Sequence, residues 1–588
     1  MSMWVVLLSA AAFLVPAAVV FFAGVTLTER LWLPLPALAP AFGTLVLAAL
    51  SWIVFLAFWA APWLGFAVAG VALLGSIAVF AHGGLWRRWR EAVPVVALIV
   101  GVLALYLGFS YLWWTGQDVY TLIASRFFKF QMPVDNTIPM LFAQKIADGQ
   151  PTTLLLGDWN GGDRPPLQSG FELLFRPIVA LGQLVSGHPA SAAPPMAVSY
   201  ALDLLAQLIW IPTGYALLRL LAFRRWVAVG GLVFAVLVPS IMVNTVYTWP
   251  KVLSAAMVLC ALAFLLAAKR TPARFTPFFA LAIVSAVFGV LAHGAAAFAI
   301  PALVAVGLYA LWGRGVRAAL RSIGIGVGIG LVVYAPWIAY QRFVDPPGDR
   351  LLKWHLAGVT AIDPRPFLDV VSDEYSQLSF LQVVANRLQN LSTVFGSDQF
   401  GRLSAGRFDG TTFVRVEDYT STVLAISVIG VVLLVMMTVS LAGRIRSLTS
   451  SELQRLLIVA GMMLSVLIWA LVLFTPNSAI VPHGSHAWLL VFTTIPFCWL
   501  LERAPRTGVV LLVVQALLLT GVYFRDIYAE APRFSPAAFV VTVAGAVIVL
   551  VLPLVSAARL ERRARSSAAT RMPIPSTSDS TAGGRSVD

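Results

Sequence analysis

The sequence predicts an all-α polytopic membrane protein with two large extracytoplasmic loops. Three observations predict it. First, of 588 residues 60% are hydrophobic and only 11% charged, with mean hydropathy +0.88; soluble domains carry about 25% charge. Second, apolar runs long enough to cross a bilayer, ~20 residues, recur along the whole chain. Third, short clusters of arginine and lysine fall on every second connection between them. The net charge of +14 is therefore topological and not a nucleic-acid stripe. The two cysteines, Cys260 and Cys498, lie inside apolar runs, which excludes a disulfide framework or a thiolate metal site. The N-terminus lacks a basic leader region and reads as a retained helix.

The first three spans are expected at Trp4–Val25, Ala37–Ala60 and Trp63–Ala81, with a tight turn at Ala61-Pro62. A basic cluster, Arg87, Arg88 and Arg90, precedes a fourth span at Pro94–Trp114. The fifth to tenth are expected at Met196–Leu221, Val227–Val243, Val252–Ala268, Pro277–Leu291, Ala295–Trp312 and Ser322–Tyr340. The last five are expected at Ser421–Leu441, Leu456–Phe474, Ala487–Leu501, Val509–Tyr523 and Ala537–Val555. The tail from Arg559 is basic, then rich in Ser, Thr and Pro, and is expected to be disordered. The glycine run Ile323–Gly330 follows no strand and sits inside a span, so it reads as close helix packing and not as a nucleotide loop.

Loops rich in Arg and Lys face the cytoplasm. The clusters at 87–90, 224–225, 269–274, 314–321, 444–455, 503–506 and 559–565 alternate consistently. That orientation puts the stretch Gln117–Pro177 outside, with the second long loop from Gln341 to about Tyr419. The first stretch holds Asp118, Asp135, Asp148, Asp158 and Asp163 among Phe and Leu. Solvated linkers are poor in such residues, so the chemistry is expected here. Carboxylates at a membrane surface serve as general bases, metal ligands or sugar-hydroxyl acceptors.

The same orientation collects cations outside. Lys251 opens the seventh span in YTWPKVL, Arg350 and Lys353 sit in DPPGDRLLKWHLAG, and His483 and His486 sit in VPHGSHAW. His293 and His355 also fall on this face. Histidine, lysine and arginine opposite aspartates point to a phosphate site beside a general base. No histidine pair has clean zinc spacing; the HxxH of His483 and His486 is a weak signal. Neither a Walker motif nor a Rossmann fingerprint is present, so a donor used outside must be activated without ATP. A lipid-linked phosphate sugar meets that need.

An outer loop with an early acidic residue, Asp135-Asn136, and a later Asp163-Arg164-Pro165-Pro166-Leu167 resembles the GT-C glycosyltransferases. These include protein O-mannosyltransferases and the aminoarabinose transferases that modify lipid A. The resemblance covers the fourth to about the tenth span. It implies a GT-C-like bundle of about 15 transmembrane helices. Residues 1–92 would be extra N-terminal helices, and 93–340 a core whose first extracytoplasmic loop, 115–195, is catalytic. Residues 341–420 would form a second extracytoplasmic loop that closes over the donor, 421–558 further spans, and 559–588 the cytoplasmic tail. The chain departs from the mannosyltransferase pattern, which often has Asp-Glu at the first motif and His before Pro-Pro.

The resemblance implies transfer of a sugar from a polyprenyl-phosphate donor to a lipid, polysaccharide or protein hydroxyl, with inversion and no metal or cofactor. The site would open on the extracytoplasmic face of the cytoplasmic membrane. Asp135 is then the base, Asp163 holds the acceptor or the loop, and Lys251, Arg350 and Lys353 hold the phosphate, helped by His293 or His355. Arg164, His483 and His486 complete the expected substrate-binding set. Two other classes fit lipid-linked sugars: a flippase or transporter, and an O-antigen-type polymerase or ligase. Nearly all charge avoids mid-span positions; Asp203 is the main exception.

Overall fold

A computed structural model describes residues 3–31, 35–82, 89–126, 134–189, 193–394, 426–474, 486–523 and 532–569. The chain is helical almost throughout, as hydrocarbon demands: only a helix or a closed barrel satisfies every backbone polar group without water. Among the described residues, eleven helices are long and apolar enough to cross a membrane, or up to 12 when a bent pair is taken as one span. The protein is thus a multi-pass membrane protein.

The first four helices are α1 (Met3–Leu31), α2 (Ala39–Ala60), α3 (Pro62–His82) and α4 (Trp89–Tyr111). The first loop folds into short helices: α5 (Val119–Arg126), α6 (Ile138–Ala147), α7 (Leu167–Leu174) and α8 (Arg176–Val185). The fifth span consists of α9 (Met196–Gln207) running into α10 (Trp210–Leu220). Next, α11 (Arg225–Val236) and α12 (Pro239–Val246) meet at a bend of 71°. Pro239 stands at the start of α12 and has no N–H to continue the α11 ladder. Four spans follow: α13 (Lys251–Arg270), α14 (Phe275–Ala292), α15 (Ile300–Leu311) and α16 (Val316–Phe343).

The second long loop contributes α17 (Arg350–Ala357), α18 (Phe367–Ser376) and α19 (Phe380–Val394). The C-terminal part holds α20 (Ser427–Ala442), α21 (Ser450–Val472), α22 (Ala487–Arg503), α23 (Pro505–Tyr523) and α24 (Pro536–Ala569). Three of the expected spans, at α20, α22 and α23, are helices that do not reach spanning length and apolarity in the described residues. At 17 residues, α22 covers ~25 Å at 1.5 Å per residue, against a core of ~30 Å. Helix α24 continues without a break to Ala569, and the Ser/Thr/Pro-rich end of the tail lies outside the described residues.

Helix contacts follow small residues. Gly326 and Gly330 of α16 face Ile283 of α14; a Cβ on Gly326 would lie 2.5 Å from the Ile283 side chain. Half of the glycine run is thus close helix packing, while Gly324 and Gly328 face open space. The most extensive pairing joins α24 to α4. A Cβ on Gly545 would sit 2.3 Å from the Leu105 nitrogen, and one on Gly108 would sit 2.6 Å from that of Thr542. Beyond the helix ends, Trp113–Trp114 (β1) pairs antiparallel with Arg533–Phe534 (β2).

The bundle has two chemically distinct ends. At one, Arg455 donates to the Leu221 carbonyl and to Glu502 at 2.9 Å, and Glu452 meets Arg503 at 3.2 Å and Arg444 at 3.3 Å. Arg270 meets Gln454 at 3.0 Å, and Arg314 donates to the Pro272 carbonyl. The basic loops from 224 to 503 therefore gather at one end. The acidic first loop and the start of the second lie at the other.

Candidate functional site

The first loop turns back on itself from Leu154 to Arg164. The Leu154 N–H donates to Asn160 Oδ1 at 2.9 Å, and the Asn160 N–H to Asp163 Oδ2 at 2.9 Å. Gly161 and Gly162 are needed by contact: a Cβ on Gly162 would lie 2.5 Å from the Asp345 carbonyl oxygen. The Gly162 N–H donates to Asp345 Oδ2 at 2.7 Å, and Gln341 donates to the Gly162 carbonyl. The turn is thus clamped to the start of the second loop. Burial raises the carboxyls of Asp163 and Asp345 above the ordinary carboxylate range.

Arg164 precedes a proline and is held extended, at φ −127° and ψ 120°. From there its guanidinium reaches Asp135 Oδ2 at 2.7 Å. Tyr247 donates its hydroxyl to the other oxygen of Asp135 at 3.0 Å. Asp135 is buried. It lies in a 3-10 turn whose Thr137, not Asp135, stands at the N-cap of α6. Next to it, Asn136 is fully buried, and neither of its amide atoms has a hydrogen-bond partner among the described residues.

Lys251 is the first residue of α13 and is 0% exposed. Its Nζ lies 3.6 Å from the centre of the Trp249 ring. A cation at a helix N-terminus opposes the macrodipole, and burying it opposes hydration. The cation–π contact offsets part of this, and the nearby Asp135 carboxylate a further part. His293 meets the edge of the same Trp249 ring at 5.9 Å. Its Nδ1 accepts the Ala295 N–H at 3.0 Å, so the proton is assigned to Nε2, which has no partner among the described residues. Burial first, then the charges of Lys251 and Arg164, holds the imidazole well below its ordinary pKa. A neutral N–H donor, a lysine and the N-terminus of a 20-residue helix thus surround one spot. That combination favours an anion.

The other cations divide. Arg350 pairs with Asp158 at 2.5 Å and lies 3.9 Å from Asp163. It stacks on Trp159, as does Arg164, each 4.3 Å from the ring centre. Trp159 therefore ties the two arginines together. Arg350 also holds the Asp158 carboxyl below its ordinary range. Lys353 is not brought to Lys251 by any contact: its Nζ donates to the Asp363 carbonyl at 2.7 Å and meets Asp349 at 2.8 Å. It braces the second loop from inside. His355 is half-buried against Trp354, and its carbonyl accepts the Phe474 N–H. His486 is buried, its Nε2 3.0 Å from Asn244 Oδ1. His483 lies outside the described residues. Asp118 caps α5 through Thr121, and Asp148 ends α6. Among the described residues no group of three or more His, Cys, Asp and Glu is placed to hold a metal ion.

A polar chain behind the site has no counterpart in the sequence reading beyond Asp203. Tyr120 and Gln168 each donate to Asp203 at 2.7 Å. Gln168 also donates to the Thr248 carbonyl, and Gln207 links Gln168 to the Leu253 N–H of α13. Glu172 lies beside Asp203; burial and then that carboxylate push the Glu172 carboxyl well above its ordinary range. Gln168 and Glu172 are one turn apart on α7, so both reach Asp203. Tyr247, Trp249 and Trp159 were equally unmarked, although Tyr247 and Trp249 lie in the same short run as Lys251. Comparison with protein families, with curated proteins and with solved structures finds no match for this chain.

Proposed function

We propose that the chain is an integral-membrane glycosyltransferase of GT-C type. It moves a sugar from a polyprenyl-phosphate donor to an acceptor hydroxyl on the extracytoplasmic face of the cytoplasmic membrane, without a metal. The observation that carries this reading is the juxtaposition of a buried carboxylate with an anion-favouring pocket. Asp135 faces Arg164 and Tyr247, while Lys251, the α13 N-terminus and the His293 Nε2–H cluster around Trp249.

In the reaction, Asp135 takes the proton of the acceptor hydroxyl through a lone pair that Arg164 and Tyr247 leave open. The hydroxyl oxygen bonds to the anomeric carbon as the bond from that carbon to the phosphate oxygen breaks. The electron pair leaves with the polyprenyl phosphate, whose charge falls on Lys251 and His293. One displacement inverts the anomeric centre. Arg164 positions Asp135, and Asp163 positions the turn and Arg350.

An apolar groove supports a lipid-linked donor. A cavity of about 590 Å³ runs between α2, α14 and α16, from Arg274 to Trp52 and Val333. It follows α14 toward His293. The test is whether the purified protein releases polyprenyl phosphate from a polyprenyl-phosphate sugar in the presence of an acceptor. Release that persists in Asp135→Asn would remove Asp135 as base; no release with any such donor would remove the transferase reading.

Two observations favour a second reading, a transporter of lipid-linked sugars. The α11–α12 pair is a broken helix, and Asp203 with Glu172 is a carboxyl pair at the edge of a span. Under that reading, proteoliposomes move the donor across the bilayer with no sugar transferred.

A further inference from the structure

On the other side of α2 from the groove lies a second cavity, of about 510 Å³, between α1, α2, α4 and the α9–α10 span. We propose that this cavity binds an anionic glycerophospholipid, with one acyl chain inside and the headgroup phosphate on Arg219 and Arg225. This site is separate from the reaction proposed above and does not rest on it.

The lining states the chemistry. Ala18 and Phe21 of α1, Val96 of α4 and Leu208 between α9 and α10 form apolar walls. Among the described residues, the charged side chains in the lining are Arg219 and Arg225. Both stand at the end of the bundle that gathers the basic loops, since Arg219 ends α10 and Arg225 begins α11. A hydrocarbon slot that ends in two guanidiniums at a membrane surface matches one amphiphile: an apolar chain with an anionic head.

Arg219 gives one N–H to the Phe223 carbonyl and has no carboxylate partner among the described residues. Its remaining donors suit the planar fork that phosphate accepts. One carboxylate is near: the Arg225 backbone N–H donates to Glu561 Oε2 at 3.3 Å. It meets Arg225 and leaves Arg219 as the stronger phosphate contact. Zwitterionic lipids offer the same phosphate but carry an ammonium that two arginines repel. The preference is therefore for phosphatidylglycerol over phosphatidylcholine.

The deep end of the cavity touches Phe171 of α7, one residue from Glu172 in the polar chain that reaches Thr248 and Leu253. An acyl chain packed on Phe171 would brace that helix. The lipid is thus placed to stiffen the back of the site without entering it.

The test uses the full chain in detergent. Native mass spectrometry with added phosphatidylglycerol or phosphatidylcholine is expected to show one tightly held phosphatidylglycerol. Arg219→Gln with Arg225→Gln should weaken it by about 10–100-fold, as for two charge-assisted contacts. Ala18→Trp should exclude it by filling the slot while both arginines stay. Wild-type thermal stabilisation by the two lipids needs no variant, and phosphatidylglycerol should give the larger shift. Equal binding of both lipids, retention in Ala18→Trp, or displacement by polyprenyl phosphate at equal concentration would each overturn the proposal.

Discussion

The two ends of the bundle hold their cations in different company. At the basic end, arginines meet carboxylates in pairs: Arg455 with Glu502, and Arg444 and Arg503 with Glu452. At the other, Arg164 and Arg350 are paired too, with Asp135 and Asp158, but they also share one indole, Lys251 lies on a second, and His293 keeps a donor unspent. Under the function proposed above, the Lys251 ammonium and the His293 Nε2–H are the groups that a donor phosphate would meet. On that reading, the difference separates charges that orient a chain in a membrane from charges that meet a substrate.

The largest effect should come from Asp135. Asp135→Asn keeps the shape and removes the base, so turnover should fall by about 10²–10⁴-fold with donor binding nearly intact. Asp118→Asn should be mild, because Asp118 only caps α5. The reverse ranking in a turnover assay would place the base elsewhere. Next comes Lys251→Met. Loss of a charge-assisted contact, about 1.5–3 kcal/mol, corresponds to donor affinity falling by roughly 10–100-fold. A Lys353→Met control should leave donor affinity unchanged, since Lys353 braces the second loop. If donor titrations give equal losses, the two lysines share a site after all.

At the basic end, Arg455→Met should leave turnover per folded molecule unchanged. It should lower stability by about 3 kcal/mol, as when one partner of a buried pair is removed. A drop in turnover at constant folded fraction would erase the contrast between the ends. The smallest effects are in pH. His293 is held neutral, so below about pH 6.5 the unfolded chain binds a proton that the folded chain refuses. Stability should therefore fall as pH falls below that value, and His293→Asn should flatten this acid limb in thermal melts. Glu172 has the opposite sign. Its raised folded pKa keeps a proton that the unfolded chain releases above about pH 4.3. Stability should therefore fall as pH rises above that value, and Glu172→Gln should flatten that limb.

The membrane architecture was legible because it rests on sums over many residues: apolar length and basic ends. The bend at Pro239 blurred the count there, and the short α20 and α22 blurred it further, since spanning depends on a few residues at each end. Within the site, the concentration of aspartates in the first loop, Asp135 and Asp163 among them, was a local pattern and could be read locally. The company of Asp135 could not. Arg164 and Tyr247 come from positions 29 and 112 residues away, and only folding brings them together. Lys353 shows the converse: close to Arg350 in sequence, it turns to Asp349 and Asp363 instead of the substrate side. The Asp203 network was hidden because glutamine and tyrosine in apolar runs look like ordinary filler until their partners are known.

The pairing of α4 with α24 has a consequence for biogenesis. Helix α4 receives its most extensive partner from α24, a helix made long after it. Until then, the face of α4 around Gly101, Leu105 and Gly108 meets only lipid or an insertion factor. The seam of α4 is therefore closed by a segment made late. A message truncated before residue 536 would yield a chain already threaded through the membrane yet left with an unfilled seam.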